Sequence, residues 1–414
     1  MNADGRRLVA VFFTRYGPYH VARLMGAVAT GRAANWDVQG LEVTHVDANY
    51  AWRPLDLDSA VPVTTLIPGR SLEQVSGREI RGALLPALDR LDPDAVAIAG
   101  YAEPYALATL AWCRRNGRAA VLMSESKKND AIRLGPLELL KKQVVRLFDA
   151  ALVGGVAQRA YAERLGIPAD AVAVGYDAVD HEFFTARSDT ARASEDIWRK
   201  KLAVERPFVL ASCRFLRRKN VPRLVRAYAR YRETVGATEA WDLVLLGDGE
   251  DGPRIRRTVS ALGLAGCLHL PGFRQIEELP AWYGLASLAV HVPLREQWGL
   301  VVNEAMASAT PVVVSSMAGS QELVRDGVDG WIVNSRSTGA IAQALVHAHR
   351  LGPAKLREIG LNARAHARES GPERFGLGLM AALDAAMRRS SQRGAGARRA
   401  GWVLDRLLVA VPRR

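Results

Sequence analysis

Short apolar runs alternate along the chain with stretches in which apolar residues recur at helical spacing. Strands alternating with helices indicate parallel sheets that helices cover on both faces, so the pattern predicts an α/β protein. The predicted strands are 8–13, 95–99, 119–123, 150–153, 171–174, 208–212, 243–246, 268–270, 288–292, 311–315 and 330–333. The predicted helices are 20–30, 104–113, 221–231, 253–262, 300–309 and 320–324.

The alternation occurs twice and is interrupted by a polar stretch at residues 186–206. A chain of 414 residues exceeds the size at which a single hydrophobic core stops growing. We therefore expect two doubly wound domains with a cleft between them. Ligands of such sheets bind beyond the carboxyl ends of the strands, so we look for the chemistry there.

Composition is that of a globular protein, with 49% hydrophobic and 24% charged residues. The three cysteines lie far apart in apolar runs, which excludes a disulfide scaffold and a CxxC metal site and favours a reducing compartment. No early apolar run is long enough for a signal peptide, and none approaches a membrane span. The expected location is cytoplasmic.

The net charge of +13 indicates an anionic partner, and two segments supply much of it, 214–232 and 388–414. Phosphate ligands, nucleic acid and anionic lipid headgroups all satisfy such charge. Residues 401–411 are apolar and have arginines on both sides, which is typical of a segment that lies on an anionic membrane surface. A peripheral contact at the inner face of the membrane is therefore one expectation. A strap onto the N-terminal domain, or a tail without structure, is the alternative.

The most informative stretch runs from residue 292 to residue 307. Here a predicted strand is followed by a loop with Gly299 and then by a helix, whose first amide groups could take a phosphate. Glu304 lies one turn into that helix, where a carboxylate can accept two hydrogen bonds from a diol, and Glu296 lies on the same rim. Arg214 and Lys219, after the strand at 208–212, supply the cations that a diphosphate needs. This set suits a sugar nucleotide, and we take the neighbouring Arg217 and Arg218 as surface charges.

These residues resemble a known family. The Glu-x7-Glu spacing of Glu296 and Glu304, and the Arg-x4-Lys spacing of Arg214 and Lys219, look like the C-terminal domain of retaining GT-B glycosyltransferases of family four, the group 1 glycosyl transferases. The first strand with its glycine loop and the segment 175–184 are similar to the family's N-terminal half. The resemblance covers residues 8–385.

The resemblance implies a GT-B fold, with two Rossmann-like domains that face a cleft and a C-terminal helix that returns to the N-terminal domain. The implied parts are an acceptor-side domain at 1–185, a linker at 186–206, a donor-nucleotide domain at 207–371, a crossing helix at 372–390 and a basic tail at 391–414.

The resemblance also implies roles for individual residues. Glu296 would hold the donor sugar, Glu304 the ribose, and Arg214 and Lys219 the diphosphate, with cations and amides in place of a metal. Further implied donor contacts are Gly299 and Leu300 through backbone amides, Arg274 near the base, and Gly17. No cofactor and no metal are expected beyond a UDP- or GDP-linked co-substrate.

The N-terminal half departs from the family. Where many members have a histidine facing the donor sugar, this chain has Ser124-Glu125-Ser126, so either Glu125 takes over hydroxyl binding or the donor sugar differs. His20 and Glu103 are the acceptor-side candidates, while Gly17 could equally be a plain strand-to-helix turn. On the C-terminal side, this chain has Gln297-Trp298 where the family has Gly-Phe. It has Ala309 where the family has the glycine of an Ala-x-Gly-x-Pro motif.

We therefore predict a retaining glycosyltransferase of polysaccharide or glycolipid synthesis that uses a nucleotide sugar and a saccharide or lipid-linked acceptor. Two alternatives are a sugar-nucleotide isomerase similar to 2-epimerases and a sugar-nucleotide-binding protein without activity. A nicotinamide dehydrogenase would need a Gly-x-Gly-x-x-Gly after the first strand, where Thr14-Arg-Tyr-Gly-Pro-Tyr19 stands instead. Nucleic acid is not an expected partner, because the basic residues follow no recognition motif.

Overall fold

The structure is a computed structural model that describes residues 5–46, 52–53, 61–130 and 135–393. The chain divides into two compact units. The first comprises Met1–Ala178 and Pro372–Arg414, and the second comprises Val179–Gly371. Among the described residues, no helix has the length and apolar character needed to cross a bilayer. The apolar tail predicted at 401–411 lies outside the described residues.

The first unit is built on a seven-stranded parallel sheet with the strand order β3-β2-β1-β4-β5-β6-β7. The central strands are apolar throughout because helices bury them on both faces. The elements are β1 (Arg7–Phe13), α1 (Pro18–Ala33), β2 (Trp36–Glu42), β3 (Val63–Thr65), α2 (Gly77–Leu91), β4 (Ala95–Ala99), α3 (Pro104–Asn116), β5 (Ala119–Ser124), α4 (Gly135–Val145), β6 (Ala150–Val153), α5 (Val156–Leu165) and β7 (Val172–Val174).

The second unit is built on a six-stranded parallel sheet with the order β10-β9-β8-β11-β12-β13. Its elements are α6 (His181–Ala193), α7 (Glu195–Leu202), β8 (Phe208–Ser212), α8 (Val221–Val235), β9 (Asp242–Leu246), α9 (Gly252–Ala261), β10 (Leu268–Gly272), α10 (Leu279–Leu285), β11 (Leu288–His291), α11 (Val301–Ala307), β12 (Val312–Ser315), β13 (Gly330–Val333) and α12 (Thr338–Ala367), which is kinked at Gly352. The predicted helix at 320–324 is a short 3-10 helix, Gly319–Leu323.

Several elements were not predicted from the sequence, among them β3, α2, α4, α5, α10 and α12, and two further segments differ for identifiable reasons. The strand β2 was not predicted, because polar residues alternate with its apolar ones and no continuous apolar run marks it. The expected linker at 186–206 is largely helical, forming the end of α6 and all of α7. Asp180 caps α6 by accepting a hydrogen bond from the Phe183 amide at 2.9 Å, and the ring of Phe184 packs against Tyr283 of α10. The polar composition of this segment therefore belongs to the outer faces of packed helices.

The last described helix, α13 (Pro372–Ser391), completes the first unit and packs against α1. Its buried side includes Phe375, Leu379 and Leu383 at a spacing of one helical turn. Glycines permit the two helices to lie close together. A Cβ atom on Gly26 of α1 would lie 2.1 Å from the carbonyl oxygen of Pro372, and one on Gly376 would lie 2.2 Å from the Thr30 hydroxyl.

We expect Gly26→Ala to lower the free energy of unfolding by about 1–3 kcal/mol, because the added methyl group must push the start of α13 away from α1. Gly82→Ala in α2 is the matched control, since a Cβ there meets no atom within 4 Å and alanine favours the helix. Urea unfolding of both variants measures the difference. A Gly26→Ala protein as stable as the wild type would show that the contact between α1 and α13 is looser than described.

Candidate functional site

The loops at the carboxyl edge of the second sheet are tied to one another by buried polar side chains. The side-chain amide of Asn220 donates to the carbonyl oxygens of Val292, at 3.0 Å, and of Ser335, at 2.8 Å. The hydroxyl groups of Ser315 and Ser335 both donate to the Pro293 carbonyl oxygen, at 2.9 and 2.8 Å. The ends of β8, β11, β12 and β13 are thereby held as one rigid platform.

Glu296 lies in the loop after β11, and the residue is only 8% exposed. One oxygen accepts a hydrogen bond from the Arg218 guanidinium at 3.0 Å, and the other contacts the Lys219 amino group. Burial by itself raises the pKa of Glu296, but the positive charges around it, first that of Lys219, outweigh burial and hold the pKa at about 2. Glu296 is therefore ionised at neutral pH and paired with two cations.

His291, the last residue of β11, lies beneath this group with its Nε2 atom 3.6 Å from the Glu296 carboxylate. Burial, together with the charge of Lys219, lowers the pKa of His291 to about 3, so the ring is neutral at physiological pH. The contact between His291 and Glu296 therefore joins a carboxylate to an uncharged imidazole and is not an ion pair. Since His291 and Lys219 come from neighbouring strands, the tertiary structure rather than sequence proximity joins them.

Gly299 lies against the imidazole of His291 with a φ of +106°, in the region that favours glycine. A Cβ atom there would lie 2.7 Å from His291 Nε2 and 3.2 Å from Ser320 Oγ, so there is also no room for a side chain. The preceding Trp298 is buried, and its indole N–H donates to Asn303 Oδ1 of α11 at 2.9 Å. Trp298 therefore anchors the loop to the helix that follows Leu300.

Glu304 lies within α11 and is 2% exposed. Its Oε2 atom accepts a hydrogen bond of 2.7 Å from the hydroxyl group of Tyr283 in α10, which sets the orientation of the carboxylate. The expected glycine next to this helix is Ala309, which has a φ of +52° and so adopts the left-handed conformation at some cost.

The remaining predicted residues of this unit lie on the same edge. Arg214 follows β8 and is exposed, and its carbonyl oxygen accepts a hydrogen bond from the Leu216 amide at 2.9 Å. Arg274 follows β10, with its Nε atom 3.9 Å from the Glu278 carboxylate. Of the predicted residues, the structure brings Glu296 and Lys219 into direct contact and places Gly299 against the same histidine.

Sequence reasoning missed three residues here and misjudged one. Asn220, Tyr283 and His291 were not considered, although a histidine at the end of a predicted strand was a usable signal. Arg218 is not merely a surface charge as expected: its side chain is 46% exposed, yet its guanidinium group pairs with Glu296. Its carbonyl oxygen also accepts from the Leu294 amide at 2.8 Å, which joins the loops after β8 and β11.

In the first unit, Gly17, Glu103 and Glu125 follow β1, β4 and β5 and so share the carboxyl edge of that sheet. Gly17 has a φ of −92°, which any residue can adopt, and its amide donates to His20 Nδ1 at 3.2 Å. The His20 ring packs against Phe13 at a tilt of 40°, with 4.3 Å between centroids. Burial, followed by the charges of Arg23 and Arg15, lowers the pKa of His20 to about 3, so it is neutral.

Glu125 is half-buried and Glu103 is exposed directly before α3. Near Glu125, the buried Arg23 lies 4.7 Å over the ring of Tyr176 and 3.4 Å from Asp177. Burial, and to a smaller degree the charge of Glu125, raises the pKa of Tyr176 far above its ordinary value. Among the residues that the structure describes, no group of three or more His, Cys, Asp or Glu side chains is arranged to hold a metal ion.

The family described as glycosyl transferases group 1 matches residues 193–366, which include every predicted site residue of the second unit. This segment, less than half of the chain, is therefore similar to the group 1 glycosyl transferases. The group 1 segment lies wholly within the second unit, whose carboxyl edge carries the paired Glu296.

Relatives of known name are similar over part of the chain. The D-inositol 3-phosphate glycosyltransferase of Streptomyces bingchenggensis is 33% identical over 143 residues, which is 34% of this chain and 30% of that protein. A GDP-mannose-dependent alpha-(1-6)-phosphatidylinositol monomannoside mannosyltransferase of Mycobacterium tuberculosis is 30% identical over 167 residues, 38% of this chain and 42% of that protein. The chain spans about a third of the length of the first of these relatives.

Solved structures are similar over nearly the whole chain. Sucrose-phosphate synthase from Thermosynechococcus elongatus has a TM-score of 0.68 at 19% identity and covers 98% of this chain and 100% of its own. Anabaena Alr3699/HepE, solved with UDP and glucose, has a TM-score of 0.67 at 18% identity, covering 92% of this chain and 100% of its own. The chain has the GT-B fold, with two Rossmann-like α/β domains, as expected.

The ionised state of Glu296 predicts how stability depends on pH. Its pKa is about 2 in the folded protein against an ordinary value of 4.5, so its charge stabilises the fold above about pH 4.5, and this stabilisation is lost as the pH falls towards 2. We expect Glu296→Gln to lower the free energy of unfolding by about 2–3 kcal/mol at pH 7, and the difference from the wild type to shrink between pH 4.5 and pH 3.

Urea unfolding at pH 7, 5, 4 and 3 measures this difference. Glu277→Gln, at an exposed carboxylate after β10, is the control and should change stability by less than about 0.5 kcal/mol throughout. A Glu296→Gln difference that stays constant over this range would contradict the assignment of a paired, ionised Glu296.

Proposed function

We propose that the protein is a retaining, metal-independent glycosyltransferase that moves a sugar from a UDP- or GDP-linked donor to a saccharide or lipid-linked acceptor, with the cytoplasm as its compartment. The observation that carries the proposal is the buried Glu296, paired with Lys219 and Arg218 against the loop of Gly299 in the group 1 segment. Glycosyltransferase names among the partial relatives support the reaction class.

The charges of this edge favour a diphosphate. Within the group of side chains that contact one another, Glu296 contributes one negative charge, Arg218 and Lys219 contribute two positive charges, and His291 is neutral. An excess of positive charge remains after the ion pairs are counted, and it attracts an anionic ligand. An ammonium group has three N–H donors, so Lys219 can hold Glu296 and a phosphate oxygen at once.

We assign complementary roles to the two glutamates. Glu296 would accept hydrogen bonds from hydroxyl groups of the donor sugar, and Glu304, oriented by Tyr283, would accept from the ribose diol. During transfer, negative charge grows on the departing nucleoside diphosphate. Lys219, Arg214 and the amides of Gly299 and Leu300 would stabilise that charge, and their positions are set before the reaction by the tied loops.

For the first unit we propose that His20 and Glu103 contact the acceptor and that Glu125 and Gly17 face the donor sugar. His20 is neutral at physiological pH and is held by Gly17 and Phe13, so it can act as a hydrogen-bond partner of fixed orientation. The names of the relatives include a free inositol phosphate and a phosphatidylinositol mannoside as acceptors. Both kinds of acceptor fit the proposal.

The donor site is tested first by binding. Thermal shifts with UDP, GDP, ADP and dTDP should identify one diphosphate that raises the Tm, since ligand at a hundredfold excess over Kd adds about 2.7 kcal/mol of stability. Lys219→Ala and Arg214→Ala should weaken that diphosphate at least tenfold, while Arg217→Ala, an exposed neighbour, should not. Turnover should persist in chelator. Undiminished diphosphate binding by Lys219→Ala would overturn the site.

The division of roles is tested by comparing two variants. Glu304→Gln should weaken the free nucleoside diphosphate by about 1.5–3 kcal/mol, because a charge-assisted hydrogen bond to ribose is lost. Glu296→Gln should leave that binding within threefold and lower kcat, because its partner is the sugar. Calorimetry and steady-state kinetics measure the two effects. Equal losses of diphosphate affinity would rule out separate partners for the two carboxylates.

The same preparations separate the alternative functions. Donor incubated without acceptor and analysed for an epimerised sugar nucleotide tests the isomerase. Donor binding without turnover on saccharide and lipid-linked acceptors would favour a binding protein.

A further inference from the structure

The outer side of α4 in the first unit carries three large apolar side chains in contact with solvent. Leu137 is 54% exposed, Leu139 is 60% exposed and Leu140 is 61% exposed. Helices on the surface of a globular domain normally turn such side chains toward the core. We call these three residues the α4 leucines.

The orientation of α4 is fixed by its inner side. Val145 is fully buried, and seven residues earlier the carboxylate of Glu138 accepts hydrogen bonds of 2.9 and 3.1 Å from the hydroxyl group of Tyr161 in α5. With 3.6 residues per turn, Glu138 and Val145 lie on one side, and the α4 leucines lie on the remaining circumference. The exposure therefore follows from how the helix is anchored.

Basic residues border the α4 leucines. Lys141 and Lys142 are half-buried and lie on either side of the anchored side, between it and the exposed face, and Arg146 is exposed one turn further on. Residues 135–146 contain these three basic side chains and one acid, Glu138, which already pairs with Lys141 at 3.0 Å. The exposed face is therefore apolar at its centre and positively charged at its edges.

This distribution matches one kind of partner. An anionic bilayer takes apolar side chains into its interfacial region and attracts the flanking cations, so the two contributions add. Two copies of the chain meeting through this face would bring Lys141 and Lys142 near their own counterparts, which is unfavourable. The net charge of +13 also favours an anionic surface.

We propose that α4 is an interfacial helix that docks the protein on an anionic lipid bilayer through the α4 leucines and the lysines beside them. Docking does not depend on the proposed transfer reaction. One consequence of docking does rest on the proposed transfer reaction. Helices α4 and α5 both begin at the carboxyl edge of the first sheet, where Glu125 also lies. Val156, at the start of α5, is 72% exposed. Docking brings this edge to the membrane, where a lipid-linked acceptor would be carried.

The test is co-sedimentation of the full chain with vesicles of phosphatidylcholine alone and with 30% phosphatidylglycerol, at low and high salt. We expect binding only to the anionic vesicles, weakened at high salt because cations near the surface are screened. The triple variant Leu137→Gln, Leu139→Gln, Leu140→Gln should bind at least tenfold more weakly. Its Tm should match that of the wild type, since the replaced side chains face solvent.

A matched control replaces three exposed apolar residues elsewhere, Ile197→Gln, Leu361→Gln and Leu377→Gln, and should bind as the wild type does. A third variant, Leu404→Gln, Leu407→Gln, Leu408→Gln, changes the apolar C-terminal segment and should retain the binding that depends on α4. Wild-type binding by the α4 variant would overturn the proposal. So would equal binding to neutral vesicles, or a wild-type oligomer that dissociates in the α4 variant, which would identify a second copy as the occupant.

Discussion

The arrangement of the second unit depends on one buried carboxylate that must be neutralised. A charge such as that of Glu296, removed from water and left alone, would cost several kcal/mol. Lys219 and Arg218 come from the loop after β8, whereas Glu296 comes from the loop after β11, so pairing them fixes two strand-end loops against each other. The hydrogen bond between the Leu294 amide and the Arg218 carbonyl oxygen adds a backbone contact to the same junction.

Around this pair the structure leaves little freedom. Hydrogen bonds of Asn220, Ser315 and Ser335 join the loops at the strand ends, and the neutral His291 lies against Gly299. A side chain at position 299 would have no room, and the backbone there has a positive φ, so glycine is the residue that fits. Groups held in this way need not reorganise when charge develops on a leaving group, which suits them to the proposed role.

The two carboxyl edges differ in their electrostatics. The edge of the second unit combines ion pairs with an excess of positive charge, as a nucleoside diphosphate requires. The edge of the first unit presents a histidine that burial keeps neutral, a half-buried Glu125 and the nearby start of α4. In the proposed function, the charged donor binds at the edge of the second unit. The polyhydroxy acceptor, presented at a membrane, binds at the edge of the first.

Much of the fold could be predicted from the pattern of residues along the chain. Buried parallel strands are continuously apolar, so the runs at 8–13 and 208–212 lie within one residue of β1 and β8. The strand β2 was missed because its polar and apolar residues alternate, and the helices in residues 186–206 were missed because their exposed faces dominate the composition. Continuous apolar runs mark elements that are buried on both faces, whereas an element buried on one side shows only the spacing of its apolar residues, a weaker signal in a polar segment.

For the site, the sequence determined which residue types follow the strands. Glu296 and Glu304 come after β11, near the start of α11, and Lys219 comes after β8. Only the tertiary structure decided that Lys219 and Arg218 both contact Glu296, that His291 underlies Gly299, and that Tyr283 orients Glu304. It also decided that the α4 leucines face solvent. The reason is that hydrogen bonds, ion pairs and burial join atoms from separate elements, and the distances between those atoms are set by the packing of the sheet and its helices.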